Sequence, residues 1–269
     1  MLAESEEFTY SLKSIIDSAK DWTKQIYKEK SLFTHILPKH NVSTLLESGC
    51  FKGDRLLGLI PLITRGVGLE KEFSLYDKAL EKTKDTSIHV LDAHIQEYTP
   101  KSQLGFPERY DAILLMDNQL AKHANQDNLK KVLDSANILL NSNGIMILEI
   151  FNYNKVLKEE YYDFSKVPFM LEGKKLYMTR HMKIFDEDIL KYLVDIYDSA
   201  GHHLKSFTEL HLILTKRRIE EWLNTTGFRI DDMFGDHEMN DFDVDRSSKM
   251  IVIARKTRTI DSRNHIEQR

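Results

Sequence analysis

Apolar positions follow two rhythms along this chain. From residue 5 to residue 37 they recur every three or four places, at Leu12, Ile15, Ile16, Ala19, Trp22, Ile26 and Tyr27. That spacing lays one greasy stripe along a helix, and Pro38 and Asn41 close it. Short apolar runs then alternate with longer amphipathic ones. Strands are predicted at Thr44–Glu47, Gly66–Leu69, Ile88–Asp92, Tyr110–Met116 and Ile145–Phe151, and helices at Asp54–Ile63, Ser74–Lys84 and Asp127–Leu140. Asn143-Gly144 reads as a turn before the fifth strand. Strands alternating with helices predict an α/β fold, a parallel sheet with helices on both faces.

The rhythm changes after Phe151. Residues 153–175 read as loop, rich in Tyr, Lys and Glu, and strands follow at Met178–Phe185, Tyr192–Tyr197 and Leu204–Leu214. Ser199-Ala200-Gly201 has hairpin-turn chemistry. The stretch of about 153–213 is therefore expected as an antiparallel insert over one end of the sheet. A helix over Thr215–Asn224 has Thr215 as its cap and Gly227 at its end. Phe228–Phe234 and Lys249–Arg255 are the last two strands. Residues 1–256 make one domain with a helical cap over 1–43, and the polar tail 257–269 is expected to fray.

Composition narrows the class. The chain has 269 residues, 41% hydrophobic and 30% charged, with a net charge of −4, ordinary for a globular protein. Bulk charge gives no reason to expect nucleic acid as a partner. One cysteine, Cys50, excludes an intrachain disulfide and suits a reducing compartment. The acidic start "MLAESEEFTYSLKS" lacks the basic flank and apolar centre of a signal peptide. No apolar run approaches the roughly 20 residues that span a bilayer. The expected location is the cytoplasm, with no membrane partner, and the sequons at Asn41 and Asn224 are read as chance.

The chemistry gathers at strand ends. In an open parallel sheet, ligands bind beyond the carboxyl ends of the strands. "LLESGCFKGDRLLGL" places Gly49 and Gly53 in the first such turn, where they let the backbone bend and a ligand come close. Glu70 ends the second strand, suited to accept hydrogen bonds from two ribose hydroxyls. Asp92 ends the third, within reach of an adenine edge. A dinucleotide fold needs a glycine where Phe51 stands, so that a pyrophosphate can seat on the helix. Bulk there argues against a nicotinamide-dependent oxidoreductase and for a nucleoside without phosphates.

At this point the chain resembles the class I S-adenosylmethionine-dependent methyltransferases. "LLESGCFKGD" is similar to their first motif, an acidic residue followed by three spaced glycines. "GVGLEKEFSLYDKAL", "IHVLDAHIQEY", "YDAILLMDNQLAKH" and "LLNSNGIMILEI" are similar to the segments that follow, and "TTGFRIDDMFGD" with "SKMIVIARK" to the closing hairpin. The likeness covers about residues 40–256. It implies a Rossmann-like seven-stranded sheet, mostly parallel with a reversed last strand, and S-adenosylmethionine as cofactor. It assigns Glu47, Gly49, Cys50, Phe51 and Gly53 to the cofactor turn, Glu70 to its ribose and Lys71 to the flank of the adenine. Asp92 and Ala93 go to the adenine, and Met116 and Asp117 lie beneath the cofactor. Phe51 departs from the family pattern, and so does Asn141–Gly144, where Lys-Pro-Gly-Gly is common. The first change implies a lower affinity or a reshaped amino-acid end of the site.

"MDNQLAKH" and "IFNYNKVLKEE" also resemble the loops after the fourth and fifth strands of the N-methyltransferases acting on glycine and sarcosine. They imply a small polar acceptor, an amine, touched by Asn118, His123, Asn152 and Tyr153, with Arg180 and His211 contributed by the insert. Methyl transfer to nitrogen draws mainly on proximity and alignment, so no catalytic base is assigned. Trp22 and Tyr27 are candidates to cover the cofactor, beside simple packing of an apolar stripe. No metal is assigned. Asp241, Asp243 and Asp245 have calcium-loop spacing, but Arg246 and Val252 stand where that loop needs Gly and Glu. His202-His203 has no cysteines nearby. The other reading kept open is a relative that retains the fold as a non-catalytic binding module. Oligomeric state is not legible.

Overall fold

The computed structural model describes residues 8–100, 106–122 and 125–259. Its centre is a seven-stranded sheet of β1 (Thr44–Ser48), β2 (Arg65–Leu69), β3 (Ile88–Leu91), β4 (Tyr110–Leu115), β5 (Leu140–Phe151), β10 (Phe228–Phe234) and β11 (Lys249–Lys256). The strand order is β10-β11-β5-β4-β1-β2-β3. Strands β1 to β5 pair in parallel, whereas β11 runs antiparallel to both β5 and β10. The predicted parallel sheet with a reversed last strand is thus observed.

Alternation along the central strands divides the core. Leu46, Ile113, Met146, Leu148 and Val252 face one side, against Leu129, Val132 and Leu133 of α5 (Gln126–Leu139). Leu45, Ala112, Leu114, Ile147 and Ile253 face the other, against Leu32, Phe33 and Ile36 of α2 (Trp22–Lys39) and Leu56 of α3 (Asp54–Leu59). Both faces are covered, so these strands read as nearly continuous apolar runs.

A second sheet of β6 (Tyr161–Leu171), β7 (Lys174–Ile184), β8 (Ile189–Tyr197) and β9 (His203–Leu212) forms an antiparallel meander. Its Met178, Met182, Leu190, Tyr192 and Val194 pack into the same core as Ile150. This sheet is the expected insert. Two expectations for it need correction. Residues 153–175 are not loop, because α6 (Tyr153–Glu159) and β6 lie there. Asn152 caps α6 by accepting from the Asn154 amide, and Tyr162 and Phe164 set their rings 5.3 and 5.4 Å from Phe151. The Lys and Glu residues that precede these aromatics, at Lys155, Lys158, Glu159 and Glu160, hid the start of their alternation.

The single helix expected over 5–37 is two, α1 (Leu12–Ala19) and α2, and residues 5–7 lie outside the described set. The break has a local cause. Lys20 is extended, and the Asp21 carboxylate accepts from the Lys24 amide at 3.0 Å to start α2 afresh. Strand β5 begins at Leu140, earlier than expected, with Asn143 at φ 63° inside it. The polar tail lies outside the described residues from 260 onward. Among the described residues, no helix is long and apolar enough to cross a membrane.

One buried cation ties these layers together. Arg55, on α3, is 2% exposed. Its Nε and Nη2 donate to Glu29 of α2 at 2.8 and 2.9 Å, and Nη2 also to Asp117 after β4 at 2.8 Å. Its Nη1 donates to Glu47 of β1. Removing the cation would leave the buried Glu29 and Glu47 without it, so Arg55→Met is expected to cost roughly 3–5 kcal/mol in urea unfolding. The second Glu47 oxygen is buried without a partner. Burial, only partly offset by Arg55, pushes the Glu47 carboxyl up to about 7. The folded state therefore binds that proton more tightly than the unfolded chain, and this group's contribution falls as pH rises from about 4.5 to about 7. Glu47→Gln should flatten the decline of melting temperature across that interval; an unchanged slope would assign the proton elsewhere.

Candidate active site

The carboxyl ends of β1 to β5 open on one mouth, as the parallel pairing requires. The turn after β1 holds three left-handed residues, Gly49 at φ 73°, Phe51 at 53° and Gly53 at 77°. A bulky residue in that region is strained, so something must hold Phe51 there. Its amide donates to Glu70 Oε2 at 2.9 Å. Its ring is 1% exposed, packed edge-on to Trp22 at 5.4 Å and against Leu75. The Lys13 and Lys20 ammonium groups lie 4.9 and 5.7 Å from its centroid. Phe51 thus uses the space of the missing glycine to dock the helical cap.

Glu70 is the hub of the crevice. Its carboxylate accepts from the amides of Phe51, Lys71 and Glu72 at 2.9, 3.0 and 2.9 Å, and from Lys13 Nζ at 2.6 and 2.8 Å. Lys71 pairs across the outer rim with Asp92 at 3.2 Å, beside Ala93. Cys50 turns its thiol toward β2, where a Cβ on Gly68 would meet the sulfur at 2.5 Å. Burial pushes that thiol well above its ordinary range, so it is no nucleophile. Gly49 is needed for a similar reason, since a Cβ there would stand 2.7 Å from the Gln119 carboxamide.

Met116, Asp117 and Asn118 form the turn after β4, with Asp117 and Asn118 both left-handed. Burial alone would raise the Asp117 carboxyl, but Arg55 and Lys20 outweigh it and hold it well below the carboxylate range. Lys20 lies 2.5 Å from Asp117. Asn118 joins two strand ends: its Oδ1 accepts from the Phe151 amide at 3.0 Å, and its Nδ2 donates to the Tyr153 hydroxyl at 2.7 Å.

Beside this turn lies a cavity of about 390 Å³ between the main sheet and the insert. Phe51 and Asp117 reach it from the crevice, Asn118 from the β4 turn, and Arg180, Tyr192 and His211 from the insert. Four of the six expected acceptor residues are therefore together: Asn118, Arg180 and His211 on the wall, and Tyr153 bonded just behind it. Asn152 is not with them. Its Nδ2 donates to the Val244 and Ser247 carbonyls at 2.9 and 2.8 Å, fixing the loop before β11. His123 lies outside the described residues. Tyr27 is 78% exposed and covers nothing, whereas Trp22 is buried on Phe51.

Sequence reasoning missed Lys13, Lys20, Arg55 and Gln119. A lysine on a helix stripe carries no signal of the acid it will meet far along the chain. Glu29, Glu149 and His237 bring one ligand atom each within 4.8 Å of one another. Those atoms are already engaged, by Arg55 on Glu29 and by His237 and Lys249 on Glu149, so the cluster reads as an ion-pair network.

The crevice can be tested against the nucleoside that the turn and strand ends suggest. The acidic groups at the ends of β2 and β3 suit a ribose and an adenine edge. The space does not suit them in this conformation. Lys13 holds the carboxylate that ribose hydroxyls would need, and Phe51 and Trp22 fill the volume above the turn. A ribose at Glu70 would have to take the place of the Lys13 ammonium.

No family model matches the chain. A glycine/sarcosine N-methyltransferase from Halorhodospira halochloris is 23% identical over 241 residues, covering 90% of this chain and 86% of that one. Among solved structures, an S-adenosylmethionine-dependent methyltransferase from Clostridium acetobutylicum superposes with a TM-score of 0.69 at 15% identity, over 91% of this chain and 96% of the other. A SAM-bound amino pentose methyltransferase from Micromonospora echinaspora gives a TM-score of 0.63 at 13% identity, over 94% and 100%. With the strand order and the reversed last strand, these likenesses establish that the chain has the fold of the class I S-adenosylmethionine-dependent methyltransferases and is distantly related to the glycine/sarcosine N-methyltransferases.

Proposed function

We propose that this chain is an S-adenosylmethionine-dependent methyltransferase whose acceptor is a small amine bearing an anionic group. The observation that carries this reading is the cavity beside the β4 turn. Its walls are shared with the crevice through Phe51 and Asp117, and a cation stands on its far side. Arg180 lies 4.9 Å over the Phe164 ring, its Nε buried without a partner. Among the described residues no carboxylate is within ion-pair range of it. A carboxylate on the acceptor would complete it with charge-assisted hydrogen bonds. The distant relatives named for glycine and sarcosine suit the same chemistry.

When bound, the cofactor supplies a methyl group already activated on a sulfonium. The chain's own work is to place a nitrogen lone pair in line with it and to keep water out. Proximity and alignment of this kind lower a barrier by several kcal/mol, up to about 7–11. Glu70, Asp92 and the glycine turn would hold the nucleoside, and Arg180 and Asn118 would orient the acceptor. Oxidoreductase chemistry with a dinucleotide is disfavoured by the buried Phe51 ring where a pyrophosphate needs open backbone.

A second reading is favoured by one observation: Lys13 already satisfies Glu70. A chain that keeps the crevice shut would be a non-catalytic binding protein. Calorimetric titration with S-adenosylhomocysteine separates the two. The enzyme reading expects the native chain to bind, Glu70→Ala to bind at least tenfold more weakly, and Lys13→Ala to bind more tightly. The expected gain for Lys13→Ala is about tenfold, the scale of one charged hydrogen bond. Native chain and Lys13→Ala both folded and both failing to bind would establish the non-catalytic reading. For the acceptor, Arg180→Met should raise KM for carboxylate-bearing amines roughly 10- to 100-fold while leaving kcat nearly unchanged. An equal effect on amines without an anionic group would refute the assignment.

A further inference from the structure

His211 is a buried titratable group that the proposed function leaves without work. It sits on β9, 2% exposed, on the wall of the acceptor cavity. Each ring nitrogen has a different neighbour. Nε2 is 3.2 Å from Glu209 Oε2, while Nδ1 is 3.3 Å from Asn118 Nδ2 and 3.5 Å from the Tyr153 hydroxyl. A carboxylate only accepts, so the proton belongs on Nε2. Nδ1 then accepts from Asn118 Nδ2, whose residue reaches the cavity from the β4 turn. Tyr192 stacks on the ring at 5.2 Å and 19°, fixing its plane. An imidazole steered by a carboxylate on one nitrogen, with a cavity-wall amide donor on the other that an ammonium N–H would replace, is placed to act as a general base.

We propose that His211, oriented by Glu209, takes the proton from the ammonium form of the acceptor amine. The inference rests on the methyltransferase reading above and deepens it. A small amine is mostly protonated near neutrality and has no free pair to offer. The step is a plain proton transfer. The N–H bond of the ammonium breaks, its electrons remain on nitrogen as a lone pair, and the proton joins Nδ1. The imidazolium so formed is balanced by the Glu209 carboxylate on Nε2. The amine is then a nucleophile, and the proton leaves to solvent after turnover.

The surroundings suit both states of the ring. Burial lowers the His211 pKa from its ordinary value, and Glu209 draws it partly back up. The ring is therefore neutral and ready at pH 7. Burial alone would raise Glu209, but the bond from His211 and the charge of Lys122 outweigh it and keep it ionised. The charged and titratable groups facing the ring are Glu209 on β9, Lys122 after β4, Tyr153 on α6, Tyr192 on β8, Arg180 on β7 and Asp117 beside Asn118. Burial lowers the pKa of Lys122 as well. Burial raises the hydroxyls of Tyr153 and Tyr192, so neither competes for the proton at neutral pH.

Two measurements test this. The first needs no cofactor and no substrate. In histidine-labelled protein, the nitrogen shifts of His211, identified by its loss in His211→Gln, are followed against pH. The expected result is a neutral ring at pH 7 with the proton on Nε2, and loss of that tautomer preference in Glu209→Gln. A cationic ring at pH 7, or a proton on Nδ1, overturns the proposal whatever the enzyme's activity. The second compares methylation of glycine and sarcosine by the native chain and His211→Gln from pH 6 to 10. The variant should be about 100-fold slower near pH 7, the low end for general base catalysis. It should approach the native rate as pH nears the amine's own pKa, where the free amine no longer needs a base. A deficit constant with pH would mark His211 as packing only. If neither amine is methylated by the native chain, that counts against the methyltransferase reading, and the nitrogen shifts still decide the question of the ring.

Discussion

The structure depends on the buried Arg55 guanidinium. A charge this deep is costly unless its hydrogen bonds are met, and Arg55 meets them by gripping acids from three different segments. Those segments are the cap helix α2, the end of β1 and the turn after β4. The first two follow one another along the chain, and the third lies 62 residues beyond Arg55. One cation therefore fixes the angle at which the cap lies on the sheet and the height at which Asp117 presents itself at the mouth. The apolar layers on either side supply most of the stability, but they tolerate small slides. A planar fork with three carboxylate partners does not.

Around this point the crevice is organised by charge. Lys13, Lys20 and Lys52 of the cap region and turn find Glu70, Asp117 and Asp17, each within 3 Å. The aromatic pair of Phe51 and Trp22 packs beside these bonds, with the Lys13 and Lys20 ammonium groups over the Phe51 ring. Phe51 is strained in isolation and stable in company: its amide bond to Glu70 and its ring contact both require the left-handed turn. The unusual residue in the family's first motif and the shut crevice are thus a single feature.

Most of the sheet was legible in the sequence. Val67, Ile113 and Ile147 lie in runs that only a doubly covered strand would hold, and Glu70 and Asp92 mark strand ends by breaking such runs. The two final strands followed from Gly227 and the apolar runs after it, and their reversal from the resemblance of those segments to the closing hairpin of the methyltransferases. The insert was read in part, because β8 alternates cleanly while β6 buries little of its length and carries Asp163 and Lys166 between its aromatics. The cap was misread at Lys20, where the apolar stripe continues across a backbone break that only Asp21 marks. Of the acceptor residues, His211 and Arg180 come from strands far from the crevice in sequence. Their meeting with Asn118 depends on how the second sheet folds back, which no local pattern encodes. Asn152 illustrates the opposite error: it sits at the right strand end, but its side chain faces the neighbouring loop.

The helix α1 touches two compartments. Lys13 holds the Glu70 carboxylate, and Ile16, one turn along, forms part of the wall of the cavity beside the β4 turn. A rigid segment of eight residues cannot leave one place and stay in the other. A ligand that moved α1 at Glu70 would also move Ile16 at the cavity wall, which would link the two occupancies thermodynamically. By reciprocity, whatever factor the first guest contributes to the second is returned in equal measure.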